Sequence, residues 1–146
     1  MVKQYSHVLF ATDLLPDNLD VADRAKELAQ RYNAKLSVLH VVEPMPIYFG
    51  DEFALPATQE MEQQFMARAK KKMEGELAPR LGVTTADCHV QLGVTRMEIL
   101  HFIEKHGIDL LVVGRHSRHG LGRLLGSTAS AVLNTVSCDV LAVRLQ

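Results

Sequence analysis

The chain reads as a single doubly wound α/β domain, a five-stranded parallel sheet with helices on both faces, and three observations predict it. Four short apolar runs, at 7–12, 36–42, 110–113 and 140–143, and a weaker stretch at 85–92 have strand length. Segments of helical periodicity or helix-forming composition alternate with them, the order that places strands in parallel and helices over both faces. The 146 residues suit one domain with one core, so the domain is taken as 1–146.

Residues 7–12 (HVLFAT) form the first strand, which runs at once into Asp13, Pro16, Asp17 and Asn18, a polar turn. A helix over 18–32 follows, with Val21, Ala22, Ala25, Leu28 and Ala29 on one face. Asn33 is its stop, because asparagine tolerates the left-handed conformation at a helix end. The second strand (LSVLHVV) is broken by 43–46, and 48–57 is expected to be a surface loop. Residues 58–81, rich in Glu, Gln, Lys, Met and Ala, predict a helix burying a stripe of Met61, Phe65, Ala69 and Met73. The third strand precedes a short helix at 98–106 with Ile99, Phe102 and Ile103 inward. The fourth, LLVV, is apolar throughout, as a strand covered on both faces should be. A glycine-rich loop at 114–125, a helix at 127–136 and the strand VLAV complete the pattern.

Composition narrows the function classes. A hydrophobic fraction of 47% and a charged fraction of 23% are ordinary for a globular protein. A net charge of -1 supplies no general attraction to nucleic acid or acidic membranes, and the run Lys70, Lys71, Lys72 reads as a solvated helix face. No apolar stretch approaches the ~20 residues that cross a bilayer, and residues 1–7 lack a signal-peptide core, so a cytoplasmic location is expected. Cys88 and Cys138 suggest neither a disulfide framework nor a zinc site and read as small residues in or beside strands.

In open parallel sheets ligands sit at the carboxyl ends of strands, near the point where strand order reverses. The loop opened by Gly114, Arg115, His116 and Ser117 and closed by Gly126, Ser127 and Thr128 holds four glycines and leads into a helix. Glycines let backbone amides approach an anion, a helix N-terminus adds exposed N–H groups, and Arg115, Arg118 and Arg123 add positive charge. The loop is therefore built like a phosphate cradle, although tight connection by the glycines and helix capping by Ser127 would explain the same residues. Asp13, ending the first strand, can accept from a ribose hydroxyl, help hold a metal or cap the next turn.

Several activities are excluded or left without residues. There is no G-x-x-x-x-G-K-[ST] motif, and Asp13-Leu14-Leu15-Pro16 stands where a G-x-G-x-x-G fingerprint would begin. A phosphorylated receiver domain needs an Asp ending its third strand and a Lys ending its fifth; Gln91-Leu92-Gly93 and Arg144 stand there. His116 and His119 share a loop without further ligands at a metal spacing, and His40 lies inside a strand. No nucleophile–base motif is recognisable, so no enzymatic activity is expected; slow ATP hydrolysis through Asp13, a magnesium ion and the arginine-rich loop is the weakest alternative.

The opening HVLFATD, the second-strand LHVVEP, the loop start VVGRHS and the closing GSTASAVLNTVSCDVLAVRL together resemble the universal stress protein family over essentially the whole chain. The resemblance implies an adenine nucleotide alpha-hydrolase-like fold, a homodimer formed through the last strand, and a stress-response role with a protein partner. One branch of the family binds ATP or AMP, with or without magnesium; another, similar to universal stress protein A, is described as nucleotide-free. In the binding branch Gly-x-x-Gly is followed after a longer run by Gly-Ser/Thr. Here Gly114 matches the first glycine and Gly126-Ser127 the closing pair, with Arg115 and His116 inside the motif and Thr128 next to it. The resemblance further implies that Asp13 holds the ribose, the Val41 backbone meets the adenine, Ala11 and Thr12 line the pocket, and Gly93 lies beside the ligand. Two departures stand out: Ser117 replaces the second glycine, and Leu15 stands where many relatives have serine.

Overall fold

The computed structural model describes residues 4–44, 55–114 and 135–144. These form a parallel sheet of β1 (His7–Ala11), β2 (Lys35–Val42), β3 (Cys88–Leu92), β4 (Leu110–Gly114) and β5 (Asp139–Val143), in the order β3-β2-β1-β4-β5. The five strands are those the four apolar runs and the weaker stretch predict. β3 loses its expected first residues because Thr85–Asp87 close a 3-10 turn, with the Asp87 N–H on the Thr84 carbonyl.

Alternation along the first strand explains why it is apolar at successive positions. Val8 and Phe10 of β1 face a cluster with Val21, Ala22, Ala25 and Ala29 of α1 (Leu19–Arg31). Leu9 and Ala11 face the opposite cluster, with Ile99, Phe102 and Ile103 of α4 (Thr95–His106). Both faces are covered, so no strand position of β1 beyond His7 is left to water. Full burial of Phe10 and Leu9 contributes about 1.5–3 kcal/mol each.

Helix ends follow the backbone chemistry of their residues. Asn33 takes a φ of 51°, the left-handed stop expected of it, and its N–H reaches the Gln30 carbonyl. Gly107 ends α4 in the same conformation, with its N–H on the Ile103 carbonyl. That helix begins at Thr95, three residues before the expected start, because the Thr95 hydroxyl is anchored on Glu43 Oε1 at 2.9 Å.

The segment expected as one helix over 58–81 is instead α2 (Leu55–Lys72), a π turn (Met73–Leu77) and α3 (Ala78–Leu81). Pro79 has no N–H, and the Ala78 N–H reaches back five residues to the Met73 carbonyl, so the register shifts there. The start at Leu55 also shortens the expected loop 48–57, whose earlier part lies outside the described residues; Pro56 falls in the first helical turn, where its missing N–H costs nothing. Only half of the expected stripe is buried. Ala69 and Met73 are inside, while Met61 and Phe65 remain 42% and 38% exposed, because only the C-terminal part of α2 lies over the sheet.

Candidate functional site at the end of the first strand

Strand order reverses at β1, which has β2 on one side and β4 on the other. The β1–β4 ladder closes at Phe10 opposite Val112, and the β1–β2 ladder at Ala11 opposite Leu39. Past those pairs β4 continues to Gly114 and β2 to Val42, so a crevice opens outside β1 between their ends. Ala11, Thr12, Asp13, Val41 and Gly114 all lie at its rim, and all are buried. Gly93 follows the end of β3, its N–H on the Val42 carbonyl at 3.0 Å; the Glu98 side chain lies against it, 2.6 Å from where a Cβ would stand. Arg115, His116, Ser117, Gly126, Ser127 and Thr128 lie outside the described residues, as do the expected phosphate loop and most of the helix at 127–136.

The turn after β1 is wound tightly around Asp13. Thr12 keeps its N–H on the Leu39 carbonyl at 2.9 Å, while its hydroxyl oxygen accepts the Leu14 N–H at 3.0 Å. Leu14 sits at a φ of 62°, a left-handed conformation that costs a non-glycine residue about 1–2 kcal/mol. Such strain persists where surrounding bonds over-determine it. Pro16 then opens a 3-10 turn (Pro16–Asn18), closed by the Asn18 N–H on the Leu15 carbonyl.

Within that turn the Asp13 carboxylate is used unevenly. Oδ1 accepts the Leu15 N–H at 2.9 Å and the Asn18 side-chain amide at 2.7 Å. Oδ2 is buried and has no partner among the described residues, in a residue that is 6% exposed. A bare buried carboxylate oxygen ordinarily costs 1–3 kcal/mol or more and calls for a donor from outside the turn. A small hollow opens beside the turn, bordered by Thr12, Leu14, Asn18, Lys72 and Glu76.

His40 ties the second strand to the end of the first. Its Nδ1–H donates to the Thr12 carbonyl at 2.8 Å, across from β2 to the end of β1. Among the described residues no group of three or more His, Cys, Asp or Glu side chains is placed to hold a metal ion. Cys88, in β3, and Cys138, just before β5, are half-buried, and burial pushes the Cys88 thiol above its ordinary value.

The universal stress protein family profile matches residues 4–144. The chain belongs to the universal stress protein family. Universal stress protein A homolog 1 of Coxiella burnetii is 43% identical over 142 residues, covering 97% of this chain and 98% of that relative. The universal stress protein UspA of Lactobacillus plantarum, at 22% identity and a TM-score of 0.74, covers 99% of this chain and all of its own; that likeness is one of fold. A universal stress protein solved in complex with cAMP is 25% identical, with a TM-score of 0.57 and coverage of 97% of this chain and 98% of its own. No helix among the described residues of this family member is long and apolar enough to cross a membrane.

Two site features of this universal stress protein were not legible as such in the sequence. Asn18 was readable only as a turn and helix-start residue, and the left-handed Leu14 has no sequence signal, since leucine disfavours that conformation. A polar amide five residues after a strand-end aspartate, with a proline between to fix the turn, is the signal that finds Asn18.

Proposed function

We propose that this chain is a regulatory stress protein that binds an adenine nucleotide, ATP or AMP, in the crevice between the ends of β1, β2 and β4. The observation that carries this reading is Asp13 Oδ2, buried and without a donor at the strand-order reversal. A ribose hydroxyl is a donor of the right kind for it. The β2 backbone at Val41 lies beyond the β1 ladder and would meet the base. Gly114 leads from β4 into the loop of Arg115, His116, Ser117, Gly126, Ser127 and Thr128, which would take the phosphates. The relative solved with cAMP supports the same ligand class. A magnesium ion, where one takes part, would arrive on the phosphates. Binding rather than turnover is the activity: the ligand favours one loop arrangement and so one surface for a protein partner.

Homodimerisation along β5 belongs to the same proposal. β5 ends the sheet, and Val140, Leu141 and Val143 on it are half-buried, an edge that needs pairing or covering. Sedimentation at micromolar concentration should show a dimer, and a clean monomer would refute it.

The binding test is a thermal shift with ATP and with AMP, each with and without magnesium. Ligand at a hundred times its dissociation constant stabilises the fold by about 2.7 kcal/mol. That raises the melting temperature by roughly 5–11 °C for a domain of this size. Asp13→Ala should remove the shift. No shift at millimolar ligand, in protein free of carried-over nucleotide, would favour the second reading, a nucleotide-free dimer acting through protein contacts, for which Ser117 in the glycine position is the supporting observation.

A further inference from the structure

We infer that Asn18 is the positioning residue that aims Asp13 at the ribose and thereby sets the preference of the site for ribonucleotides. The inference rests on the nucleotide reading and extends it to a residue outside the strand ends.

Both donors that the turn offers to Asp13 converge on one oxygen. The Leu15 N–H and the Asn18 Nδ2 reach Oδ1 at 2.9 and 2.7 Å, and Oδ2 receives nothing. The backbone donor alone leaves the carboxylate free to rotate about its Cβ–Cγ bond. A second donor from a different direction holds the plane of the group and leaves Oδ2 as the carboxylate oxygen without a donor among the described residues. The Asn18 side chain cannot be reversed, since its amide oxygen would then face a carboxylate oxygen.

Asn18 itself is an unusual residue to keep for stability. It is 2% exposed, and its Oδ1 is buried without a partner. Buried amides in a purely structural role have both ends satisfied. Here the donor is committed to Asp13 and the acceptor gains nothing from the protein, which is the pattern of a group retained for what it does to its neighbour. The turn that delivers it is specific as well: Pro16 starts it, the Asn18 N–H closes it on Leu15, and the left-handed Leu14 turns the chain so that residue 18 comes back over residue 13.

The test compares dissociation constants of ATP, 2′-deoxy-ATP and 3′-deoxy-ATP for the wild-type chain, Asn18→Leu and Asn18→Ala. A site that hydrogen-bonds a hydroxyl through a charged acceptor rejects the analogue lacking it by roughly tenfold to a hundredfold. The wild type should show that discrimination against at least one deoxy analogue. In both variants it should collapse to within about threefold, through weaker ATP binding, while affinity for the disfavoured analogue holds. Equal loss for all three ligands, with the ratio kept, would make Asn18 merely structural and overturn the inference while leaving the nucleotide site standing. Wild-type binding without ribose discrimination would overturn it too, and that measurement requires no variant to fold. Absence of any wild-type binding would overturn the nucleotide reading and this inference together.

Discussion

His40 reaches from the second strand to the carbonyl of Thr12, 28 residues earlier, at 2.8 Å, and so closes the gap where the β1–β2 ladder ends. The bond anchors the residue immediately before Asp13, on the strand that carries Val41. His40→Leu removes the donor and leaves a buried carbonyl unpaired, which should cost about 1–3 kcal/mol. Urea denaturation is the check, and a midpoint unchanged from the wild type would show that the bond is dispensable.

Asp109 organises the opposite end of the sheet. Its carboxylate accepts the Ser6 N–H at 2.8 Å, the Ser6 hydroxyl at 2.9 Å and the His7 N–H at 3.0 Å. Partial burial pushes its pKa up, but these bonds outweigh that and hold it below its ordinary value of 3.8. The stability it contributes is therefore present above pH 3.8 and lost as pH falls through the folded value. Asp109→Ala should lower stability at pH 7 by about 1.5–3 kcal/mol, read from chemical denaturation.

Two histidines make a milder acid response at higher pH. Burial lowers the pKa of His7 and of His89; the neighbouring His106 ring lowers that of His89 further, while the His106 carbonyl bonded to the His7 ring partly opposes the shift there. The unfolded chain thus takes up protons before the folded one, so stability is full above the ordinary value of 6.5 and declines as pH falls through it. The His89 ring stacks edge-on against Phe102 at 4.8 Å, with His106 5.7 Å away. Melting temperature should fall between pH 7.5 and 5.5, and His89→Gln should make that fall shallower.

Met73, which opens the π turn after α2, and Phe65, within α2, should respond very differently to mutation. Met73 is 1% exposed within the core cluster, and Met73→Ala should cost about 2–5 kcal/mol. Phe65, at 38% exposure, lies on the same expected stripe, yet Phe65→Gln should change stability by less than about 0.5 kcal/mol. Parallel denaturation curves of the two variants decide it. A large loss in the Phe65 variant would mean that this face of the helix is covered in the folded protein.

Where sequence periodicity succeeded and failed in this chain has a physical reason. A strand covered on both faces is largely apolar, so β1, β2 and β4 announced themselves, and their alternation with helical segments implied a parallel sheet. The Asn33 stop was readable because it depends on one residue's backbone preference. The place of Asp13 at the crevice was readable for a similar reason, since a strand end puts whatever follows it there. The stripe on α2 was not, because periodicity shows which residues share a helix face and says nothing of how far the neighbouring sheet extends beneath it. Met61 and Phe65 have the spacing of Met73 without its surroundings.

The sequence by itself determined the strand and helix alternation, the family and the position of Asp13 at the end of the first strand. Only the tertiary structure decided which oxygen of Asp13 is left bare, that Asn18 holds the other, and that His40 is tied to Thr12. Element type follows from local pattern and backbone preference, which each short stretch of chain carries within itself. The use of a donor or acceptor depends on what the fold brings within about 3 Å of it, and no local pattern encodes that distance.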